Sequence, residues 1–219
     1  DINCKDNFSS LFSGLWIEKN PTSLMGTFHV LYLDFSQVGG DMNNLFDRFN
    51  SRTGAVLDGF ARRYEKFYYE GFAKDVESKS DFRSKLDIIT IRAKEFGHHL
   101  YLIVDEYDNF TNTVLNVAGE EVYHAMTHAE GFYRDVFKLF KPNFDRILMM
   151  GVSPVTMDDV TSGYNIATSL TLDPDFNMML GFSETEVREM IRYYQCVGAL
   201  KADEDALIDE MKPWYDGYC

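Results

Sequence analysis

An α/β fold built on a parallel sheet follows from three features of the chain. Short apolar runs recur at residues 28–36, 101–104 and 146–154, each bounded by polar or turn residues. Long stretches with helical periodicity separate them, as crossovers between parallel strands require. Each run also closes on polar side chains: Asp34 and Ser36, Asp105 and Glu106, Ser153. In parallel neighbours those ends gather along one edge of the sheet, where open α/β folds place their ligands.

Taken in order, residues 8–16 read as a short helix or helical turn, with Phe8, Leu11, Phe12 and Leu15 spaced by three and four. Asn20-Pro21 marks a turn before the first strand, and Gly39-Gly40 lies in a loop after it. Residues 42–97 are mostly helical. Leu57, Phe60, Ala61, Tyr64, Phe67 and Tyr68 keep one apolar face, while Arg62, Arg63, Glu65 and Lys66 crowd the other. A further helix starts at a Ser80 or Asp81 cap and runs through Leu86, Ile89, Ala93 and Phe96 to stop at Gly97. His98-His99 closes it, where a cation suits the helix dipole. The uncharged run at 101–104 predicts a strand buried on both faces. A helix near 119–140, the third strand, and a shorter strand candidate at 169–174 follow. Ser183 and Glu186 then form a capping box opening a helix with Val187, Met190, Ile191 and Tyr194.

Composition bounds the function classes. Of the 219 residues, 45% are apolar and 15% aromatic, enough for a real core. Acids outnumber bases 35 to 21, for a formal charge of −14, which gives no global attraction for nucleic acid or anionic membranes. Cys4, Cys196 and Cys219 are scattered and read as reduced thiols of a cytoplasmic protein. No stretch approaches the roughly 20 apolar residues of a membrane span. Neither a basic n-region nor an apolar h-region opens the chain, so no secretory signal is expected. The opening without Met and the ending inside an aromatic segment suggest a piece of a longer protein.

The sharpest local signal is the passage from Tyr101-Leu102-Ile103-Val104 into Asp105-Glu106-Tyr107-Asp108. An apolar strand ending in Asp-Glu has the form of a Walker B element. There the aspartate holds Mg²⁺ through water and the glutamate orients the water that attacks a γ-phosphate. The alternative is a core strand followed by a solvated acidic turn. Asp108 is expected to bond the following loop rather than the ion. Asp34 either lines the same cleft or caps its loop, the second being favoured.

With these segments in hand, the chain resembles the AAA-ATPase-like family of predicted bacterial P-loop ATPases, often linked to a nuclease-like domain of the PD-(D/E)XK type. The resemblance is carried in order by Leu11-Phe12-Ser13-Gly14-Leu15, by Val30 through Ser36, by Ile103 through Asp108 and by Gly151-Val152-Ser153. It continues through Leu170 to Asp173, Leu180 to Val187, and Trp214-Tyr215-Asp216-Gly217-Tyr218. It implies a core over residues 1–182 and the start of a helical lid, or of the next domain, over 183–219. Asp105 would be the Mg²⁺-side acid, Glu106 the water-orienting one, and Ser153 the polar residue near the γ-phosphate. Many members carry an arginine after that serine; Pro154 stands here instead. Arg188 or Arg192 is a candidate to reach a nucleotide from the lid, against the commoner solvent-facing role of helical arginines.

One element of the family is missing. A P-loop needs Gly-x-x-x-x-Gly-Lys-Ser/Thr, and no glycine in this chain is followed by lysine. Ser78-Lys79-Ser80 lacks the glycine. In the family the P-loop precedes the segment that opens at Asp1, so ATP and Mg²⁺ are expected on the intact protein and negligible ATPase activity on this chain. Two rivals stand beside that reading. One is a degenerate, non-hydrolysing interaction module. The other is a nuclease with Asp105, Glu106 and Asp108 as metal ligands, although no lysine follows the acid pair in the order such nucleases use. His124 and His128, four apart, could share a metal, but a solvated helix face is favoured. Trp214, Tyr215 and Tyr218 read as packing of the lid or the next domain.

Overall fold

Three parallel strands, β1 (Phe28–Asp34), β2 (His99–Asp105) and β3 (Arg146–Met149), pair in the order β1-β2-β3. A computed structural model of the chain describes residues 1–36, 45–127, 132–152, 168–171, 173–176 and 178–215. It divides into two compact units, Asp1–Ile166 and Ala167–Cys219. In the first unit the short helices α1 (Phe8–Leu11) and α2 (Trp16–Lys19) precede β1. Helices α3 (Leu45–Tyr64), α4 (Phe72–Glu77) and α5 (Phe82–Glu95) connect β1 to β2. Helices α6 (Asn109–Ala118), α7 (Glu120–Thr127) and α8 (Phe132–Phe140) connect β2 to β3. The mixed α/β class and the parallel sheet agree with the sequence reading.

The sheet is one-sided among the described residues, which corrects the expectation of a strand buried on both faces. Along β1 and β2 burial alternates. His29, Leu31, Leu33, Leu100, Leu102 and Val104 are buried, whereas Val30, Tyr32, Tyr101 and Ile103 are half-buried or exposed. Side chains of a strand alternate between faces, so the first set meets the helices. From α3 come Phe49, Leu57, Phe60, Ala61 and Tyr64; from α5, Leu86, Ile89 and Ala93. Helix α8 adds Tyr133, Val136, Phe137 and Phe140, a stripe at three- and four-residue spacing. Phe35, just past β1, packs its ring on Phe49, Tyr133 and Phe137, so the end of the first strand is anchored in this core.

Local rules set the boundaries. Asp81 caps α5 by accepting from the Ser84 N–H at 2.9 Å. The helix stops at Gly97 (φ 70°), in the left-handed conformation that only glycine adopts cheaply. The His98 N–H then reaches back to the Ala93 carbonyl at 2.8 Å and the Gly97 N–H to Lys94, a Schellman closure. The ring of His98 bonds the Phe67 carbonyl instead of the helix end, so its backbone, not its charge, closes α5. His99 is the first residue of β2, its ring set against Asp145.

Three other expectations change. The third strand ends at Met149, before the anticipated residue 154. The helix expected near 119–140 begins ten residues sooner, at Asn109, and runs as three pieces. Residues 169–174 form no strand among those described: Thr171 lies in a turn and Pro174–Phe176 is a 3-10 turn. Proline supplies no N–H to a ladder, and the Asp173 carboxylate bonds the Asp175 N–H at 3.0 Å, which suits a turn.

In the second unit α9 (Glu184–Cys196) opens on the expected capping box, with Ser183 and Glu186 bonded reciprocally. It packs on α10 (Glu204–Tyr215), with Ile191 and Ile208 buried. Trp214 and Tyr215 are exposed within this unit, and Tyr218 lies outside the described residues. Cys4 and Cys196 are free thiols. No helix among the described residues is long and apolar enough to cross a membrane.

Candidate functional site

The carboxyl ends of β1 and β2 coincide, with Asp34 and Asp105 partners in register. The Phe35 N–H donates to the Asp105 carbonyl at 3.0 Å, so the two chains leave the sheet together. Glu106 follows with φ 53°, the one described non-glycine residue at positive φ. That conformation is costly for a side chain with a Cβ and is characteristic of functional turns. Glu106 is thereby turned at the sheet edge directly after the strand ends.

Both oxygens of Asp105 are engaged. Oδ1 accepts from the Glu106 N–H at 3.0 Å and Oδ2 from the Tyr32 hydroxyl at 2.6 Å. Tyr32 stands on the open face of the sheet, and its pKa is pushed up to about 12. The bond to Asp105 is the main cause, followed by slight burial and by the charges of Asp105 and Asp34. Asp34 caps the turn beyond β1, its Oδ1 accepting from the Ser36 N–H at 2.8 Å. This is the loop-capping role favoured from sequence, at a position that also borders Asp105.

The turn after Glu106 is braced from three sides. Asp108 is 1% exposed, and its carboxylate accepts from the Val152 N–H at 3.2 Å and from Asn112 Nδ2 at 3.2 Å. These partners belong to the segment leaving β3 and to helix α6, in place of the following loop expected from sequence. Tyr133 of α8 donates its hydroxyl to the Tyr107 carbonyl, and burial holds that phenol's pKa well above the usual value. Asn109 Nδ2 donates to the carbonyls of Phe35 (3.3 Å) and Ser36 (3.1 Å), pinning the β1 exit to the start of α6. On the third side the Tyr107 N–H bonds the Met150 carbonyl at 3.2 Å. A Cβ on Gly151 would lie 2.5 Å from Asp108 Oδ1 and 2.7 Å from the Tyr107 ring, so only glycine fits there.

Asp105 and Glu106 therefore sit together at the carboxyl end of the middle strand, with Asp34 alongside. Ser153 and Pro154 lie outside the described residues, as do His128 and the Gly39-Gly40 loop. His124 pairs with Glu120 at 3.3 Å on an exposed helix face. No cluster of three His, Cys, Asp or Glu able to hold a metal occurs among the described residues. With Asp108 turned under the loop, the three-acid arrangement of the nuclease alternative is not assembled. Arg188 bonds Glu184, Glu204 and Asp205, and Arg192 bonds Glu204, within the second unit. A cavity of about 440 Å³ opens at the other, amino-terminal end of the strands, and none of its lining residues belongs to the acidic edge.

Sequence reasoning missed Tyr32, Asn109 and the positive φ of Glu106. Tyr32 had a signal: it lies two residues before Asp34, hence on the same face. Asn109 and the Glu106 conformation had none, since both depend on how β1 and β2 leave the sheet.

An open parallel sheet with an acidic pair closing its middle strand puts those acids at the edge where open α/β folds bind their ligands. Consistent with this, a protein-family model described as a predicted AAA-ATPase, AAA-ATPase-like, matches residues 1–161. That span is most of the chain, and the chain belongs to this family. No curated protein and no solved structure matched it.

Proposed function

We propose that this chain is the Walker B-bearing part of an ATP-binding, Mg²⁺-dependent ATPase whose phosphate-cradling loop lies upstream of Asp1. The observation that carries the reading is the placement of Asp105 and Glu106 at the carboxyl end of the middle parallel strand. One carboxylate is oriented by two donors; the other follows on a strained turn. An all-oxygen donor set suits a hard divalent cation, which keeps several of its waters. Mg²⁺ held there through Asp105 would supply positive charge to offset the charge that develops on a nucleotide's phosphates. In this reading Asp105 would hold the ion's waters and Glu106 would orient the attacking water, and the family resemblance gives Ser153, outside the described residues, the role of the polar residue near the terminal phosphate. Residues 1–182 are the core and 183–219 begin a helical lid. Hydrolysis would drive a conformational change passed to an attached domain, of the nuclease-like kind that the family resemblance suggests.

The 219-residue chain has no Gly-Lys-Ser/Thr, and we expect negligible hydrolysis from it. The test is calorimetry of Mg²⁺–ATP binding to this chain and to one extended by the residues that precede Asp1 in its gene. Binding only in the extended protein, lost again in Asp105→Ala, supports the reading. Absence of binding in both refutes it and leaves a protein-interaction module as the better account.

A further inference from the structure

We propose that Tyr32 is a positioning residue that holds the Asp105 carboxylate in the orientation a hydrated Mg²⁺ ion needs. The proposal rests on the ATPase reading and extends it to a residue on the neighbouring strand. Tyr32 is 47% exposed between Leu31 and Leu33, each 1% exposed, so burial does not account for an aromatic side chain there. Its register partner is Ile103, and Asp105 lies two residues further along the same face. That diagonal is within the reach of an aromatic side chain. The ring spans it and delivers its hydroxyl to Oδ2 at 2.6 Å, within the short range of a hydroxyl bonded to a carboxylate.

With Oδ1 held by the Glu106 N–H, both oxygens have a fixed donor and the plane of the carboxylate is set. A carboxylate offers about four acceptor sites, so each oxygen keeps one for a metal-bound water. The choice of a phenol is chemically specific. Asp34 and Asp105 are register partners, and two carboxylates at one edge repel. A lysine or arginine in place of Tyr32 would offset that repulsion but would compete electrostatically with a divalent cation. A neutral hydroxyl fixes the carboxylate and leaves the negative charge for the ion.

The test uses the extended protein, as wild type and as Tyr32→Phe. Free Mn²⁺ is titrated by electron paramagnetic resonance in the presence of a non-hydrolysable ATP analogue, and the Mg²⁺ dependence of hydrolysis is measured in parallel. Loss of an outer-shell partner predicts Mn²⁺ binding weakened about tenfold and a matching rise in the Mg²⁺ requirement. Metal-free nucleotide affinity and melting temperature are expected to stay unchanged, which a merely structural role would not give. Unchanged Mn²⁺ binding in the variant overturns the proposal while leaving the ATPase reading intact. Tighter binding also overturns it, by showing that the phenol competes with the ion. If the wild-type protein binds no metal–nucleotide, both fall together.

Discussion

Beneath the sheet His29 is enclosed by aromatic rings, and its titration gives a prediction that can be worked through quantitatively. The residue is 1% exposed; its ring stacks on Tyr64 at 4.4 Å and lies 4.5 Å from the ring of His98. Nδ1 bonds the Tyr68 hydroxyl at 2.9 Å, and Nε2 is buried with no partner among the described residues. Burial is the main reason its pKa falls from 6.5 to about 4, with repulsion from His98 adding to it. The phenols facing it, Tyr64 and Tyr68, both have raised pKa values, again mainly through burial, and stay neutral across the acid range. Neither cause acting on His29 favours its protonation.

Between pH 6.5 and 4, therefore, the unfolded chain binds a proton that the folded chain refuses. Stability is full above about pH 6.5, falls as the pH drops, and levels off below about 4. The shift of about 2.5 units, at 1.36 kcal/mol each, amounts to about 3 kcal/mol over the whole window and about 2 kcal/mol by pH 5. His29→Phe removes the titration and keeps an aromatic ring against Tyr64, but strands the Tyr68 hydroxyl at a cost of roughly 1–3 kcal/mol. The variant is thus less stable at pH 7, and the gap closes as the pH falls, reaching zero at about pH 6 for the smallest of these costs and about pH 4 for the largest. Urea unfolding followed by near-ultraviolet circular dichroism reports on this tyrosine-rich cluster. Subtracting the variant's pH profile cancels the carboxylates and the other histidines. Parallel profiles, or a His29 ring that titrates near pH 6.5 by NMR, would refute the reasoning.

Three further outcomes follow from the same structure. Lys85 is 6% exposed and pairs with Asp58 across α3 and α5, so Asp58→Ala should cost about 3 kcal/mol in urea unfolding by stranding a buried ammonium. The double change Asp58→Leu with Lys85→Met should recover most of that loss. Gly151→Ala drives a methyl into Asp108 and Tyr107, both fixed by their own bonds, and should lower stability by about 1–3 kcal/mol in a thermal melt. Arg188→Ala and Arg192→Ala should leave nucleotide affinity of the extended protein within about twofold of wild type, since a surface ion pair is usually worth no more than about 1 kcal/mol locally. They should raise amide exchange in α9 and α10, where both arginines converge on Glu204.

What was legible from the residues was what depends on local pattern. The apolar runs of β1 and β2 were bounded by polar residues, so their strands and their acidic ends could be placed together before any coordinates. The Asp81 cap, the stop at Gly97 and the capping box at Ser183 are short-range hydrogen-bonding devices, and each formed where its residue types stood. The failures share a different origin. Burial of β2 on both faces was inferred from an unbroken apolar run, but which face is covered is decided by helices far away in sequence. In the described structure α3, α5 and α8 contribute to the same face. The early end of β3 is equally non-local, because the Met150 carbonyl and the Val152 N–H are drawn off to bond Tyr107 and Asp108 in the turn after β2.

The same distinction explains why the acid pair could be found and its setting could not. Asp105-Glu106 after an apolar run is a linear pattern, whereas Tyr32, Asn109 and Gly151 matter only through the register of three strands. Those three connect the strand ends to one another. Tyr32 ties β1 to Asp105, Asn109 ties the β1 exit to α6, and Gly151 lets the chain leaving β3 close over Asp108. A side chain placed by one such contact can swing. Asp105 is held by donors from two different segments, Tyr32 and Glu106, so displacement of either strand end is felt at its carboxylate. The positive φ of Glu106 makes that coupling tighter, because the turn has few other conformations in which to relax. The acidic edge should therefore respond as a unit to whatever binds beside it, with Asp108 carrying the displacement from the end of β2 to the segment that leads into Ser153.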